Sequence, residues 1–222
     1  MKIPFIVVAG GKGLRMGSEV PKQYIRIAGK PILIHTLEQL ALAGVERVVL
    51  VMELSYRKEL EPHLKGLALE LTLVEGGSDR ITSVRNGLSA LEPEDEWVAI
   101  HDGVRPLVDP ELLDRLWDGR IGVSGVVPIL PVKDTVKRVI GGKVVGTVDR
   151  QDLYRVGTPQ LVLVRDYRKA LEQRKDKSFT DDAGILEESG YTVLGVIGSE
   201  DGFKITDPSD LERFEERLRG KS

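Results

Sequence analysis

Gly10, Gly11 and Gly13 fall within four consecutive residues, with Arg15 close behind and Lys22 following Pro21. Without Cβ atoms, glycines let backbone N–H groups come up against a polyanion. The cationic side chains then supply charge where phosphate charge must be held. The apolar run Ile3–Val8 just upstream reads as a buried strand, so the glycines form a loop at its carboxyl end. A loop of this make-up in that place points to nucleotide phosphates. No window matches G-x-x-x-x-G-K-[ST], so it is not a Walker A loop. A dinucleotide fingerprint would need its third glycine one place earlier than Gly17. The extra cations suit a triphosphate better than a dinucleotide pyrophosphate.

Two further clusters could act with this loop. His101-Asp102-Gly103-Val104-Arg105-Pro106 follows a second apolar run, Trp97–His101, at the strand edge where open α/β sheets bind ligands. Asp102 there could hold Mg²⁺ or a ribose hydroxyl, and Arg105 could fork onto a phosphate. Equally, the two could form an ion pair that closes a turn. His101 alone reads as a structural residue rather than a general base. Gly76-Gly77-Ser78-Asp79-Arg80 opens a helix through Ser83. Its main-chain groups and Ser83 could cap a base or ribose, or Ser78 or Asp79 could simply cap the helix.

The elements that must position these residues alternate. Strands are expected at Ile3–Val8, Arg47–Met52, Glu70–Val74, Trp97–His101, Val123–Ile129 and Thr192–Ile197, with helical patterns between them. Pro31 suits a helix start and Gly44 its stop; Asp109-Pro110-Glu111 and Asp207-Pro208 read as N-cap and first-turn pairs. This alternation predicts an α/β fold with a largely parallel sheet. The stretch Val132–Arg150 differs, with two polar-alternating strands around Gly141-Gly142, a hairpin signal. Isolated two-stranded hairpins are marginal in water. The segment could be a solvent-facing hairpin at the sheet edge, but the expectation is an arm that leaves the body of the fold and packs on a second subunit.

Composition bounds the chemistry. The 222 residues include no cysteine, which removes thiolate catalysis, disulfides and cysteine-based zinc sites, and only three histidines. A formal net charge of −3 gives no whole-molecule reason to bind nucleic acid, so any anion site must be local. No apolar run approaches the roughly 20 residues of a membrane helix, and the first residues carry no signal-peptide pattern. A cytoplasmic protein formed as one domain over 1–222 is expected.

The motifs together resemble a known family. V-A-G-G-K-G-L-R-M with P-K-Q-Y is similar to the signature of GT-A-like nucleotidyltransferases. Narrower marks are G-G-x-x-R-x-x-S-V (Gly76–Val84), H-D-G-V-R-P (His101–Pro106), V-K-D-T-V-K-R (Val132–Arg138), T-V-D-R (Thr147–Arg150), T-P-Q (Thr158–Gln160), F-T-D-D-A (Phe179–Ala183) and F-K-I-T (Phe203–Thr206). In this order they resemble the 2-C-methyl-D-erythritol 4-phosphate cytidylyltransferases of non-mevalonate isoprenoid synthesis. Gly103-Val104 departs from a frequent Ala-Ala, and Lys12-Gly13-Leu14 varies a permissive stretch.

The resemblance implies a Rossmann-like three-layer α/β/α nucleotidyltransferase with a mostly parallel twisted sheet and a protruding β-hairpin arm at about 132–155. It implies transfer of CMP from CTP to the acceptor, with Mg²⁺ or another divalent cation as cofactor and a homodimer formed through the arm. Ala9, Gly10, Gly11 and Gly13 would cradle the triphosphate, and Arg15 and Lys22 would stabilise the α-phosphate. Gly77 and Ser83 would help read cytosine, and Asp102 would sit by the ribose, phosphates and metal. Arg105, Thr135, Arg150, Thr158 and Lys204 would hold the acceptor, Arg150 and Lys204 aiming its phosphate. The nearest alternative acceptor is ribitol 5-phosphate or another polyol phosphate. The nucleophile would be a phosphate monoester with a second pKa of about 6, already largely dianionic at neutral pH. No general base is then required, and charge neutralisation and positioning carry the reaction.

Overall fold

The computed structural model describes residues 3–11, 20–174 and 179–220. Strands β1 (Phe5–Ala9), β4 (Arg47–Met52), β5 (Glu70–Glu75) and β6 (Trp97–Asp102) form the parallel half of the main sheet, in the order β6-β1-β4-β5. A short antiparallel pair, β2 (Arg26–Ile27) and β3 (Lys30–Pro31), lies between β1 and β4 in sequence. The sheet continues through β7 (Gly125–Pro131), β10 (Tyr154–Val156), β11 (Gln160–Leu163) and β12 (Val193–Ile197). Strand β11 runs antiparallel between β6 and β7, β10 is antiparallel to β7, and β12 is parallel to β7.

The helices are α1 (Ile32–Leu42), α2 (Arg57–Leu64), α3 (Arg80–Leu88), α4 (Pro110–Asp118), α5 (Val164–Gln173), α6 (Asp182–Glu188) and α7 (Pro208–Arg219). They cover both faces because successive strand residues point to opposite sides. Phe5, Val7 and Ala9 of β1 pack with Leu33, Leu37 and Leu40 of α1 and with Leu112 and Leu116 of α4. Ile6 faces the other layer, with Val84 and Leu88 of α3, Tyr167 and Leu171 of α5, and Leu186 of α6. Strands buried on both faces read as continuous apolar runs, which is why β1, β4 and β6 were legible. A third cluster seats α7 through Phe214 on Ile32, Val104 and Ile205. The fold is the expected three-layer α/β/α arrangement with a mostly parallel core.

The helix starts follow from aspartates. Asp109 accepts from the Glu111 N–H, Asp79 from Thr82, and Asp207 from Ser209 and Asp210. Asp181 does the same for α6 through Gly184.

The hairpin of β8 (Val136–Ile140) and β9 (Lys143–Val148) is a separate two-stranded sheet. Gly141 and Gly142 both have positive φ, 54° and 77°, as a tight hairpin turn requires. Its Val139, Ile140, Val144 and Val145 are all more than half exposed. The chain leaves the main sheet after Pro131 and rejoins it at Tyr154.

Candidate active site

Three strand ends meet at one edge of the sheet. In register, Val8 of β1 lies beside Asp102 of β6, and Ala9 lies beside Met52 of β4. The Gly103 N–H donates to the Val8 carbonyl at 2.9 Å, and the Gly76 N–H donates to the Met52 carbonyl at 2.8 Å. The two glycine loops then touch: a Cβ on Gly76 would stand 3.0 Å from the Gly10 Cα, and one on Gly10 would stand 3.1 Å from the Gly76 Cα. Side chains at either position would force the loops apart. A Cβ on Gly77 would approach the Thr82 side chain to 2.4 Å, so that position also needs glycine.

Ser83 shapes this wall. Its hydroxyl accepts from the Gly77 N–H and donates to the Asp79 carbonyl, each at 2.9 Å. Asp79 caps α3 through the Thr82 N–H at 2.8 Å, so the capping alternative holds for that residue.

Asp102 is the centre of charge. Lys204 Nζ lies 3.0 Å and Arg105 Nε 3.1 Å from its Oδ2, while Arg80 Nε lies 3.5 Å from Oδ1. The Ile205 N–H donates to the Val104 carbonyl at 2.9 Å, which brings Lys204 to the turn after β6. Arg105 also donates to the Gly202 carbonyl at 2.8 Å. Burial alone would raise the Asp102 carboxyl, but the Lys204, Arg80 and Arg105 cations outweigh it and hold it far below the usual carboxylate range. The carboxylate is therefore ionised at any pH near neutral, and the cluster stays net positive.

Arg80 extends the network away from the edge. It makes a bidentate pair with Asp182 at 3.0 and 2.7 Å, and the Tyr167 hydroxyl donates to the same carboxylate at 2.6 Å. Gln160 Oε1 accepts from the Asp182 and Ala183 N–H groups. Together these groups brace the start of α3 against β11, α5 and α6.

His101 and Thr158 lie behind Asp102. The Asp102 N–H donates to Thr158 Oγ1 at 3.2 Å, so the threonine proton goes to His101 Nδ1 at 3.0 Å. His101 Nε2 then carries the ring proton and donates to the Arg105 carbonyl at 3.1 Å. Burial pushes His101 down to about 4, so it is neutral and weakly basic at pH 7, and both ring nitrogens are already engaged by Thr158 and the Arg105 carbonyl. Its expected structural role holds.

Unfolded chains protonate His101 near 6.5 and the folded protein near 4, so stability is lost as pH falls between those values. Unfolding in urea should give a protein about 2 kcal/mol less stable at pH 5 than at pH 7, from the unfolded histidine's titration alone. A His101→Gln variant should lose that slope; an unchanged slope in the variant would refute the assignment.

A divalent cation would find few ligands here. Among the described residues no three His, Cys, Asp or Glu side chains gather to hold one. Among the described residues Asp102 Oδ1 has the long Arg80 contact alone, so one carboxylate oxygen could reach a metal. That suits Mg²⁺ carried by substrate phosphates and touching one carboxylate, rather than an all-protein cage.

The sequence profile of the 2-C-methyl-D-erythritol 4-phosphate cytidylyltransferase family matches residues 3–219. The chain belongs to that family. A cytidylyltransferase of this name from Cereibacter sphaeroides is 42% identical, covering 96% of this chain and 95% of that protein. The bifunctional enzyme IspD/IspF of Rhodospirillum rubrum is 41% identical over 99% of this chain, and the chain spans 58% of that protein's length. The crystal structure of 4-diphosphocytidyl-2C-methyl-D-erythritol synthase from Anaerococcus prevotii superposes with a TM-score of 0.84 at 26% identity, covering 98% of each chain.

Within this cytidylyltransferase scaffold, the structure gathers Ala9, Gly10, Gly11, Gly77, Ser83, Asp102, Arg105, Thr158 and Lys204 at or just behind one sheet edge. Gly13 and Arg15 lie outside the described residues. Lys22 opens a short turn, Lys22–Tyr24, beside the glycine loop. Thr135 and Arg150 are exposed at the base of the hairpin; Arg150 donates to the Lys133 carbonyl. Among the described residues, neither makes a hydrogen bond or ion pair with the Asp102 cluster. Thr158 commits its hydroxyl to His101 and to the Asp102 backbone, so in this structure it supports the site from behind.

Sequence reasoning missed the partners of Arg80. The motifs G-G-S-D-R and F-T-D-D-A each contain one half of the Arg80–Asp182 pair, but 102 residues separate them. It also missed Gln23, whose role emerges only when the loop is folded.

Proposed function

We propose that this protein transfers CMP from CTP to 2-C-methyl-D-erythritol 4-phosphate, giving 4-diphosphocytidyl-2-C-methyl-D-erythritol and pyrophosphate. The observation that carries this reading is family membership over 3–219, joined to a cation-ringed Asp102 beside a glycine loop. An oxygen of the acceptor phosphate attacks the α-phosphorus of CTP. The new P–O bond forms as the bond to the pyrophosphate oxygen breaks, and the leaving group departs with that electron pair. The acceptor is a dianion near neutral pH, so no residue need remove a proton, which fits a site whose histidine is buried with both ring nitrogens engaged.

The task left to the protein is to bring two polyanions together. Backbone N–H groups of the glycine loop hold the β- and γ-phosphates, and Arg15 and Lys22 neutralise charge developing at the α-phosphoryl group. Lys204 and Arg105, poised on Asp102, face the acceptor. Mg²⁺, when bound, would lower the charge of the triphosphate, and Asp102 would be its candidate protein ligand. The exposed valines and isoleucine of β8 and β9 pack against a second copy, whose hairpin base would bring its own Thr135 and Arg150 toward the acceptor. Sedimentation should then give a dimer, and a monomer at micromolar concentration would remove that part. No described helix is long and apolar enough to cross a membrane, in keeping with a cytoplasmic enzyme acting on water-soluble substrates.

The acceptor is tested by pyrophosphate release from CTP with methylerythritol phosphate and with ribitol 5-phosphate in turn. The first should be preferred by kcat/KM. Preference for ribitol 5-phosphate would overturn the acceptor and leave the chemistry standing.

A further inference from the structure

Gln23 sits in the middle of the turn that carries Lys22 and is only 3% exposed. Its side-chain nitrogen donates to the Ala9 carbonyl at 2.6 Å and to the Gly11 carbonyl at 2.8 Å. Both amide protons are thus spent on one loop, and because both partners are carbonyls the amide can be oriented only this way.

The site of these bonds matters. The ladder between β1 and β6 ends with the Gly103 N–H on the Val8 carbonyl. Just beyond it, Gln23 takes the Ala9 and Gly11 carbonyls into its own amide. A trans peptide sets a carbonyl and the following N–H on opposite sides. Holding the Ala9 carbonyl toward Gln23 therefore turns the Gly10 N–H away from it. A carbonyl turned instead toward a triphosphate would repel it. The same side chain tethers the Lys22 turn, whose Tyr24 N–H donates to the Pro21 carbonyl at 2.9 Å. On its other flank the Tyr24 ring stacks on Tyr56, with centroids 3.9 Å apart.

We propose that Gln23 is a positioning residue for the nucleotide: its amide fixes the Ala9–Gly11 stretch with the Gly10 N–H presented and locks the Lys22 turn to that stretch. This rests on the proposed CTP-dependent reaction. The test compares wild type with Gln23→Met, which keeps the length without donors, and Gln23→Asn, which keeps the donors on a shorter arm. The CTP dissociation constant is read by calorimetry without acceptor, KM and kcat by pyrophosphate release, and the folded fraction by circular dichroism. At equal folded fraction, Gln23→Met should weaken CTP binding and raise the KM for CTP about 10-fold, the scale of leaving buried carbonyls unpaired. Gln23→Asn should fall between the two, and the KM for the acceptor should stay close to wild type. Equal CTP affinity across the three proteins, with kcat falling only in proportion to the folded fraction, would overturn the proposal. Wild type that binds CTP yet releases no pyrophosphate with any polyol phosphate would sink the reaction instead, while the binding comparison would still decide the role of Gln23.

Discussion

Replacing Lys22 with alanine is expected to lower kcat by about 100-fold or more, the scale of removing a group that stabilises charge in the transition state. In the proposed reaction the phosphorus must accept a dianionic nucleophile while still bonded to a polyanionic leaving group. Glycine-loop N–H groups would bind CTP before and during this proposed step and so contribute to affinity more than to rate. The proposed role of Lys22 differs, because its charge would be matched to the extra negative charge that develops during attack. The variant should therefore keep a KM for CTP within a few-fold of wild type while turnover collapses. Steady-state kinetics with calorimetric CTP binding measures both. Turnover within a few-fold of wild type, with CTP bound normally, would remove Lys22 from the chemistry. Arg15→Ala carries the same expectation on the strength of its motif.

Replacing Asp182 with alanine is expected to cost stability rather than chemistry. Asp182 has a side chain 1% exposed, balances Arg80 through two hydrogen bonds and accepts from the buried Tyr167 hydroxyl. Burial lifts the Tyr167 hydroxyl well above its usual value, and the neighbouring Asp182 charge adds to the effect, so it remains a neutral donor. Among the described residues, removing the carboxylate leaves a largely buried guanidinium with only its longer contact to Asp102, and strands a buried phenol. Breaking a buried pair in this way costs about 3 kcal/mol or more, which lowers Tm by roughly 10 °C in a domain of this size. Asp182→Asn, which keeps an acceptor, should lose less. Melting within about 2 °C of wild type for the alanine variant would contradict the bracing role.

The sequence made some parts of this architecture plain and hid others for physical reasons. Strands β1, β4 and β6 are buried on both faces, so their apolar runs cannot be mistaken. Helices α4 and α7 announced themselves through Asp-Pro starts whose caps the structure contains. Gly141-Gly142 gave the hairpin because both need positive φ. Strand β11, Gln160–Leu163, went unread because it is four residues long and follows Pro159. Strand β10 is three residues long and exposed, so it carries no periodic signal at all.

The candidate site divides in the same way. Glycine loops and the Asp102-Arg105 turn are local and were visible as motifs. Arg80–Asp182 and Gln23–Ala9 are pairings across the fold, and no spacing rule links their members. Ser83 was visible as a candidate for reading the base, yet its hydroxyl is engaged within its own loop. Short-range motifs name the ligand class, whereas the bracing that holds them appears only after folding.

The most direct measurement follows phosphorus by NMR while the protein is mixed with Mg²⁺, methylerythritol phosphate and each nucleoside triphosphate in turn. CTP should be consumed with one pyrophosphate and one cytidine diphosphate diester formed per turnover, and ATP and GTP should be left nearly untouched. Release of inorganic phosphate in place of pyrophosphate, or rapid use of ATP or GTP, would contradict the account.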